Sequence, residues 1–141
     1  LDFAKNLVRV NLKDAGTVAT LEATARAVDE AAAAGLPIML EPFISDWVNG
    51  GIKNDLSTEA VIKSVAIASG LGNSSAYSWM KLPVVPDMAR VMAATTMPTL
   101  LLGGDPAEGE EDRSQAGGLM EMHGGGVRDG LRPHEFWPVY S

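Results

Sequence analysis

Four short apolar runs recur along the chain, and each pair is separated by a segment of helical character. The runs are AKNLVRVNL at 4–12, LPIMLEPFI at 36–44, YSWMKLPVV at 77–85 and PTLLLGG at 98–104. They are largely continuous in apolar residues rather than alternating. A strand that reads this way is covered on both faces, as in parallel sheets, because each crossover between parallel strands lays a helix on the sheet. This pattern limits the chain to an α/β architecture.

The intervening segments fit that reading. From Thr17 to Ala34 the run TVATLEATARAVDEAAAA places Val18, Leu21, Ala25 and Val28 at helical spacing. Thr17 is the expected N-cap and Gly35 the residue that ends the helix. Ser57 is expected to cap STEAVIKSVAIASG, with Glu59 in its first turn, and Gly70 and Gly72 to end it. Pro86 and Asp87 are expected to open a third helix, PDMARVMAATT. Residues 45–56, SDWVNGGIKNDL, read as a long polar loop with Asn49-Gly50-Gly51 at its tip. The order is thus β-α-β-α-β-α-β. Two architectures satisfy it: a doubly wound sheet, or part of a (β/α)8 barrel. No G-x-G-x-x-G follows a strand and no G-x-x-x-x-G-K-[ST] is present, which weakens the nucleotide-binding version.

Residues 107–141 change character. They hold seven of the 15 glycines, both histidines and no sustained periodicity. The chain therefore divides into 1–106 and an irregular, Gly-rich 107–141, read as a disordered tail or as out-of-frame sequence. Composition narrows the function classes. The formal net charge is -7 and the pI near 4.7, which disfavours non-specific binding to nucleic acid or anionic membrane. The absence of Cys excludes disulfides and thiolate chemistry. No apolar run reaches the ~20 residues of a membrane span, and no signal peptide is visible. A cytoplasmic location is the expectation.

In parallel α/β sheets ligands bind at the carboxyl ends of strands. Polar residues inside the apolar runs are therefore the candidates. Lys81 lies within YSWMKLPVV, with Trp79 on the same side by the two-residue period. Glu41 interrupts the second run. Lys5 and Arg9 share one face of the first, and Gly103 and Gly104 end the fourth. The plain alternative is structural: a snorkelling lysine, a buried Glu paired with Lys5 or Arg9, and glycines that only make a turn. His123 and His134 give no metal site. Together the residues have another meaning. The Lys81 amine, when neutral, can attack a carbonyl and form a Schiff base. Glu41 can move protons, and a Gly-Gly strand end offers bare N–H groups to a phosphate.

LDFAKNLVRV, IMLEPF, YSWMKLPV and TLLLGGDP, in this order, resemble the later strands of class I aldolases: the deoxyribose-phosphate, archaeal-type fructose-bisphosphate and tagatose-bisphosphate aldolases. The resemblance is strongest to an actinobacterial aldolase-like (β/α)8 family often found beside inositol-catabolism genes. It spans residues 1 to about 106 and implies a C-terminal portion of the barrel, about strands four to seven. It implies Lys81 as the Schiff-base lysine, Glu41 as the acid/base group and Lys5 as a second active-site lysine. Gly103 and Gly104 would be half of a phosphate site, with Arg9 and Trp79 binding substrate. The implied substrate is a phosphorylated keto sugar or sugar acid, with no cofactor and no metal. The implied full-length protein is a homo-oligomeric lyase, inactive as this portion alone. One departure is plain. Deoxyribose-phosphate aldolases carry a lysine in the seventh strand, where this chain has Thr99-Leu100-Leu101-Leu102. Two other functions fit the same residues: a barrel isomerase or epimerase, and a non-catalytic sugar-phosphate-binding or inert fragment.

Overall fold

The structure is a computed structural model and describes residues 2–103. Five strands and three helices follow in the order β1 (Ala4–Val10), α1 (Gly16–Ala33), β2 (Ile38–Val48), β3 (Gly51–Asn54), α2 (Thr58–Ser69), β4 (Ser78–Pro83), α3 (Met88–Ala93) and β5 (Thr99–Leu102). The parallel ladder runs β1-β2-β4-β5, and β3 pairs only with β2, antiparallel. Spatial order thus follows chain order, without the reversal that marks a doubly wound sheet. Right-handed crossovers then carry successive helices to the same side of the sheet.

The two faces of β1 confirm that one-sidedness. Val8 and Val10 are fully buried, whereas Lys5, Leu7 and Arg9 are exposed. The sequence pattern led to the expectation of helices on both faces. Among the described residues they cover only one. The core lies between sheet and helices, with Leu40, Met80 and Leu82 from the strands and Val28, Val61, Val65 and Val91 from the helices. The Ser64 hydroxyl, buried in α2, donates to the Val61 carbonyl at 2.8 Å and lies 3.3 Å from that of Pro42 in β2.

Several local expectations need correction. Thr17 does not cap α1: Ala15 occupies the N-cap without a side-chain bond. The Thr17 hydroxyl instead accepts from the Asn11 N–H (3.1 Å) and donates to the Asn11 carbonyl (2.6 Å), closing the turn that precedes the helix. The buried stripe of α1 is Thr24, Val28 and Ala31, while Val18 is exposed in the first turn. Thr24 can be buried because its hydroxyl donates to the Thr20 carbonyl at 2.9 Å. Ser57 does cap α2, accepting from the Ala60 N–H. Asp87, not Pro86, caps α3 by accepting from the Arg90 N–H at 3.2 Å, and that helix ends by Ala93.

The larger correction concerns 45–56. These residues are not a polar loop: β2 continues to Val48 and turns into β3 as a hairpin. Asn49 and Gly50 take φ of 51° and 77°, the left-handed values that a tight two-residue hairpin turn requires at both central positions. The hairpin extends β2 past the end of its pairing with β1 at Val10–Ile44.

Candidate functional site

Strand register decides which side chains meet. β1 pairs with β2 so that Lys5 lies beside Met39, Leu7 beside Glu41 and Arg9 beside Phe43. β2 pairs with β4 through Met39–Trp79 and Leu40–Met80, so the next step brings Lys81 beside Glu41. β4 pairs with β5 through Lys81–Leu100 and Pro83–Leu102. Leu40 and Met80 point to the helix side, and the others share the face that no helix among the described residues covers. They form three levels, spaced two residues or ~6.6–7 Å along the strands. Lys5, Met39 and Trp79 make the lowest level, Leu7, Glu41 and Lys81 the middle one, and Arg9, Phe43 and Pro83 the one at the carboxyl end.

Glu41 is the centre of this face. Its side chain is 8 % exposed and lies between two ammonium groups: Lys5 Nζ at 2.5 Å from Oε2, and Lys81 Nζ at 3.6 Å from Oε1. Lys5 is 53 % exposed and Lys81 25 %. A buried carboxylate requires charge partners, and two neighbouring strands supply one each. The contact with Lys5 is close but not aligned as a hydrogen bond, so Glu41 Oε2 is a buried oxygen with no directed donor. That oxygen has acceptor capacity left for a hydroxyl or a water.

Trp79 is half-buried one level below Lys81, where its ring meets Phe3 edge-to-face with centroids 5.3 Å apart. Arg9 is exposed at the upper level, and among the described residues no ion pair reaches it. Gly103 follows β5, and no atom of the described residues lies within 4 Å of the position a Cβ would take. Gly104 lies outside the described residues, as do His123 and His134, so the Gly-Gly pair is only half described. The structure therefore brings Lys5, Glu41 and Lys81 together, with Trp79 below and Arg9 above. Among the described residues, no group of three or more His, Asp or Glu could hold a metal ion, and no helix is long and apolar enough to cross a membrane.

One cluster escaped sequence reasoning. The hairpin is tied to the turn before α1, at the carboxyl end of β1 and β2. Lys13 Nζ pairs with Asp46 Oδ2 at 2.7 Å, Asn11 Nδ2 donates to Asp46 Oδ1 at 3.2 Å, and Trp47 Nε1 donates to Asp14 Oδ2 at 3.1 Å. The Lys13 hydrogen bond holds the Asp46 carboxyl below its ordinary range, and the Trp47 indole does the same for Asp14. The signal that could have found the hairpin was Asn49-Gly50 flanked by Trp47, Val48 and Ile52.

Comparison with known proteins places the chain. The model of the Cgl0159-like family matches residues 1–122. The chain belongs to the Cgl0159-like family. Its fold is similar to that of Cgl0159 from Corynebacterium glutamicum (Brevibacterium flavum), seen in a crystal structure, with a TM-score of 0.77 and 69 % sequence identity. The match covers 82 % of this chain and 40 % of the Cgl0159 chain. The Cgl0159-like chain described here thus spans well under half the length of that relative. No curated protein matches. The name Cgl0159 carries no reaction, so what this site does must be argued from its chemistry.

Proposed function

We propose that the site belongs to a class I aldolase-type lyase acting on a phosphorylated keto sugar or sugar acid, built on a (β/α)8 barrel of which this chain contributes about strands four to seven. The observation that carries the reading is the buried Glu41 beside Lys81 on the face that helices leave bare. The sequential strand order supports the barrel, because one-directional winding is what allows a parallel sheet to close.

The chemistry needs three things of these residues. The Lys81 amine adds to a substrate carbonyl carbon, and loss of water leaves an iminium. The C–C bond β to the iminium nitrogen then breaks, and its electron pair moves toward that nitrogen. The departing fragment leaves as an aldehyde once its hydroxyl loses a proton. Glu41 is 3.6 Å from Lys81 Nζ, outside a tight hydrogen bond but within the looser range of a site without substrate. It would take the proton from the ammonium and later shuttle protons at the substrate. Lys5, against the other oxygen of Glu41, would keep that carboxylate compensated throughout. Arg9 would hold an anionic group nearer the carboxyl end.

The ion pair itself also suits a second reading, in which Lys81 and Glu41 only compensate each other in a non-catalytic or isomerase scaffold. Borohydride reduction separates the two. Incubation with dihydroxyacetone phosphate or a phosphorylated keto acid, then borohydride and peptide mass mapping, should give an adduct on Lys81 that disappears in Lys81→Met. An intact, folded protein that binds sugar phosphate yet yields no adduct would refute the Schiff-base reading.

A further inference from the structure

Hydrogen-bond parity shows where the β2–β3 hairpin stands relative to the site. The Ile38 N–H donates to the Tyr77 carbonyl at 2.8 Å, just ahead of β4, whereas the Pro37 carbonyl accepts from the Ala4 N–H of β1 at 2.9 Å. Alternate residues of a strand bond to opposite neighbours, so the even-numbered residues of β2 bond toward β4. Ile44, also even, accepts at its carbonyl from the Asp55 N–H at 2.8 Å. β3 therefore runs along the edge of β2 that β4 occupies lower down, in the column that contains Lys81. The two-residue period carries the bare face of Glu41 and Phe43 on to Ser45 and Trp47, whose partners in β3 are Asn54 and Ile52. The buried Ser45 hydroxyl donates to Asn54 Oδ1 at 2.8 Å. That bond fixes the carboxamide, and no acceptor among the described residues takes its Nδ2 hydrogens. One level further, Trp47 and Ile52 lie directly opposite each other, both exposed. Asp46 and the Trp47 indole N–H anchor the hairpin to the turn before α1.

We infer that this face of the hairpin reads the far end of the substrate: Asn54 Nδ2 donates to a hydroxyl or carboxylate oxygen there, Ser45 positions the carboxamide, and the Trp47–Ile52 pair covers the adjoining C–H groups. This deepens the sugar-phosphate reading above and rests on it. The spacing sets the substrate class. Asn54 stands two levels above Glu41 and Lys81, ~13–14 Å along the strands, and Arg9 lies one level below it. A triose phosphate held on Lys81 ends near Arg9. A longer open chain, a sugar phosphate or sugar acid of hexose length, brings its remaining hydroxyls to the hairpin. Single exposed apolar residues are ordinary on a protein surface. A Trp and an Ile facing each other beside an oriented polar donor, in line with Glu41, instead have the make-up of a small-molecule surface: an apolar body with few, well-placed polar groups. The anchors to the turn hold this surface in place before ligand arrives, which lowers the ordering cost of binding.

The test compares dihydroxyacetone phosphate with fructose bisphosphate, which share the keto phosphate end and differ in the added carbon chain. Binding is read by calorimetry, and adduct formation on Lys81 separately by borohydride trapping, on the same folded protein. The parent should bind the longer probe more tightly. Asn54→Ala should raise the Kd for fructose bisphosphate about 10-fold, the worth of one oriented hydrogen bond, and that for dihydroxyacetone phosphate less than about 2-fold. Ser45→Ala, which loosens the carboxamide without removing it, should weaken the longer probe by less than Asn54→Ala does. If Asn54→Ala does not fold, Ile52→Ser at an exposed position removes the apolar cover and should weaken the longer probe alone. Equal weakening of both probes, no weakening of either, or a parent without preference for the longer probe would each overturn the inference. The two readouts keep it apart from the Schiff-base reading. A preference that depends on Asn54 with no adduct on Lys81 sinks the Schiff base and leaves the hairpin's role standing. An adduct on Lys81 with no dependence on Asn54 sinks the hairpin's role alone.

Discussion

Replacing Gly72 with Ala tests how tightly the turn after α2 is seated on α1. Gly72 has φ of 81°, and a Cβ there would lie 2.6 Å from Val28 Cγ1 and 3.0 Å from both Val28 Cβ and Asp29 Oδ1. Val28 is 1 % exposed and cannot swing away, and Asp29 is fixed by accepting from the Asn73 N–H (2.6 Å) and Nδ2 (2.9 Å). The left-handed backbone costs an Ala ~1–2 kcal/mol. Overpacking against Val28 adds ~1–3 kcal/mol, and the stiffer unfolded chain returns ~0.4–1 kcal/mol. The expected loss is therefore ~1–4.5 kcal/mol, a fall of roughly 1–3.5 M in urea midpoint for a chain of this size. Gly50→Ala is the control: its φ is 77° but nothing lies within 4 Å of the new Cβ, so only the backbone part applies. Equal destabilisation of the two variants, or a larger effect at Gly50, would refute the claim that contact with Val28 dominates.

The other expectations concern the caps, the core, the tie between hairpin and turn, and the site. Ser57→Ala should cost ~1 kcal/mol by leaving the Ala60 N–H without its cap, readable as a shift in denaturation midpoint with unchanged slope. Leu82→Ala should cost ~2–5 kcal/mol by opening a cavity at a fully buried position; a loss under ~1 kcal/mol would show that this part of the sheet is loosely packed. Both carboxyls of the hairpin tie are held below their ordinary range, so the tie is complete above an unperturbed aspartate's pKa of ~3.9 and is lost as pH falls through the lower folded-state values. The difference in tryptophan emission between the parent and Trp47→Phe should be flat from neutral pH to that point and change below it; a transition near neutrality would contradict the assignment. Glu41→Gln should leave the fold in place, since Lys5 and Lys81 retain access to water, while slowing adduct formation on Lys81 at least ~100-fold.

Much of this fold was legible because the apolar runs fixed where strands could lie, and the two-residue period put Lys5 with Arg9 and Trp79 with Lys81. The sequence could not show that Lys5, Glu41 and Lys81 meet, because that depends on register between strands about 36 and 40 positions apart along the chain. The doubly covered sheet was misjudged because buried residues on both faces of β2 look the same whether helices or neighbouring side chains bury them: Met39 and Phe43 are buried on the bare side, Leu40 on the helix side. The hairpin was misjudged because polar Ser45, Asp46, Lys53 and Asn54 outweighed the turn chemistry of Asn49-Gly50. Thr17 was misplaced because its hydroxyl serves the Asn11 backbone rather than the first helical turn.

The trio on the bare face also bears on how the chain finds its alignment. A one-residue slip of β2 would turn Glu41 toward Val8 and the helix side and present Leu40 or Pro42 to two ammonium groups. An apolar strand with no charge would slide at little cost, since almost every residue of Ile38–Phe43 suits a buried site equally well. Glu41 removes that degeneracy from the middle strand and ties it to both neighbours at once. Independently of any chemistry, this one carboxylate acts as the index mark by which three nearly featureless ribbons are set against each other.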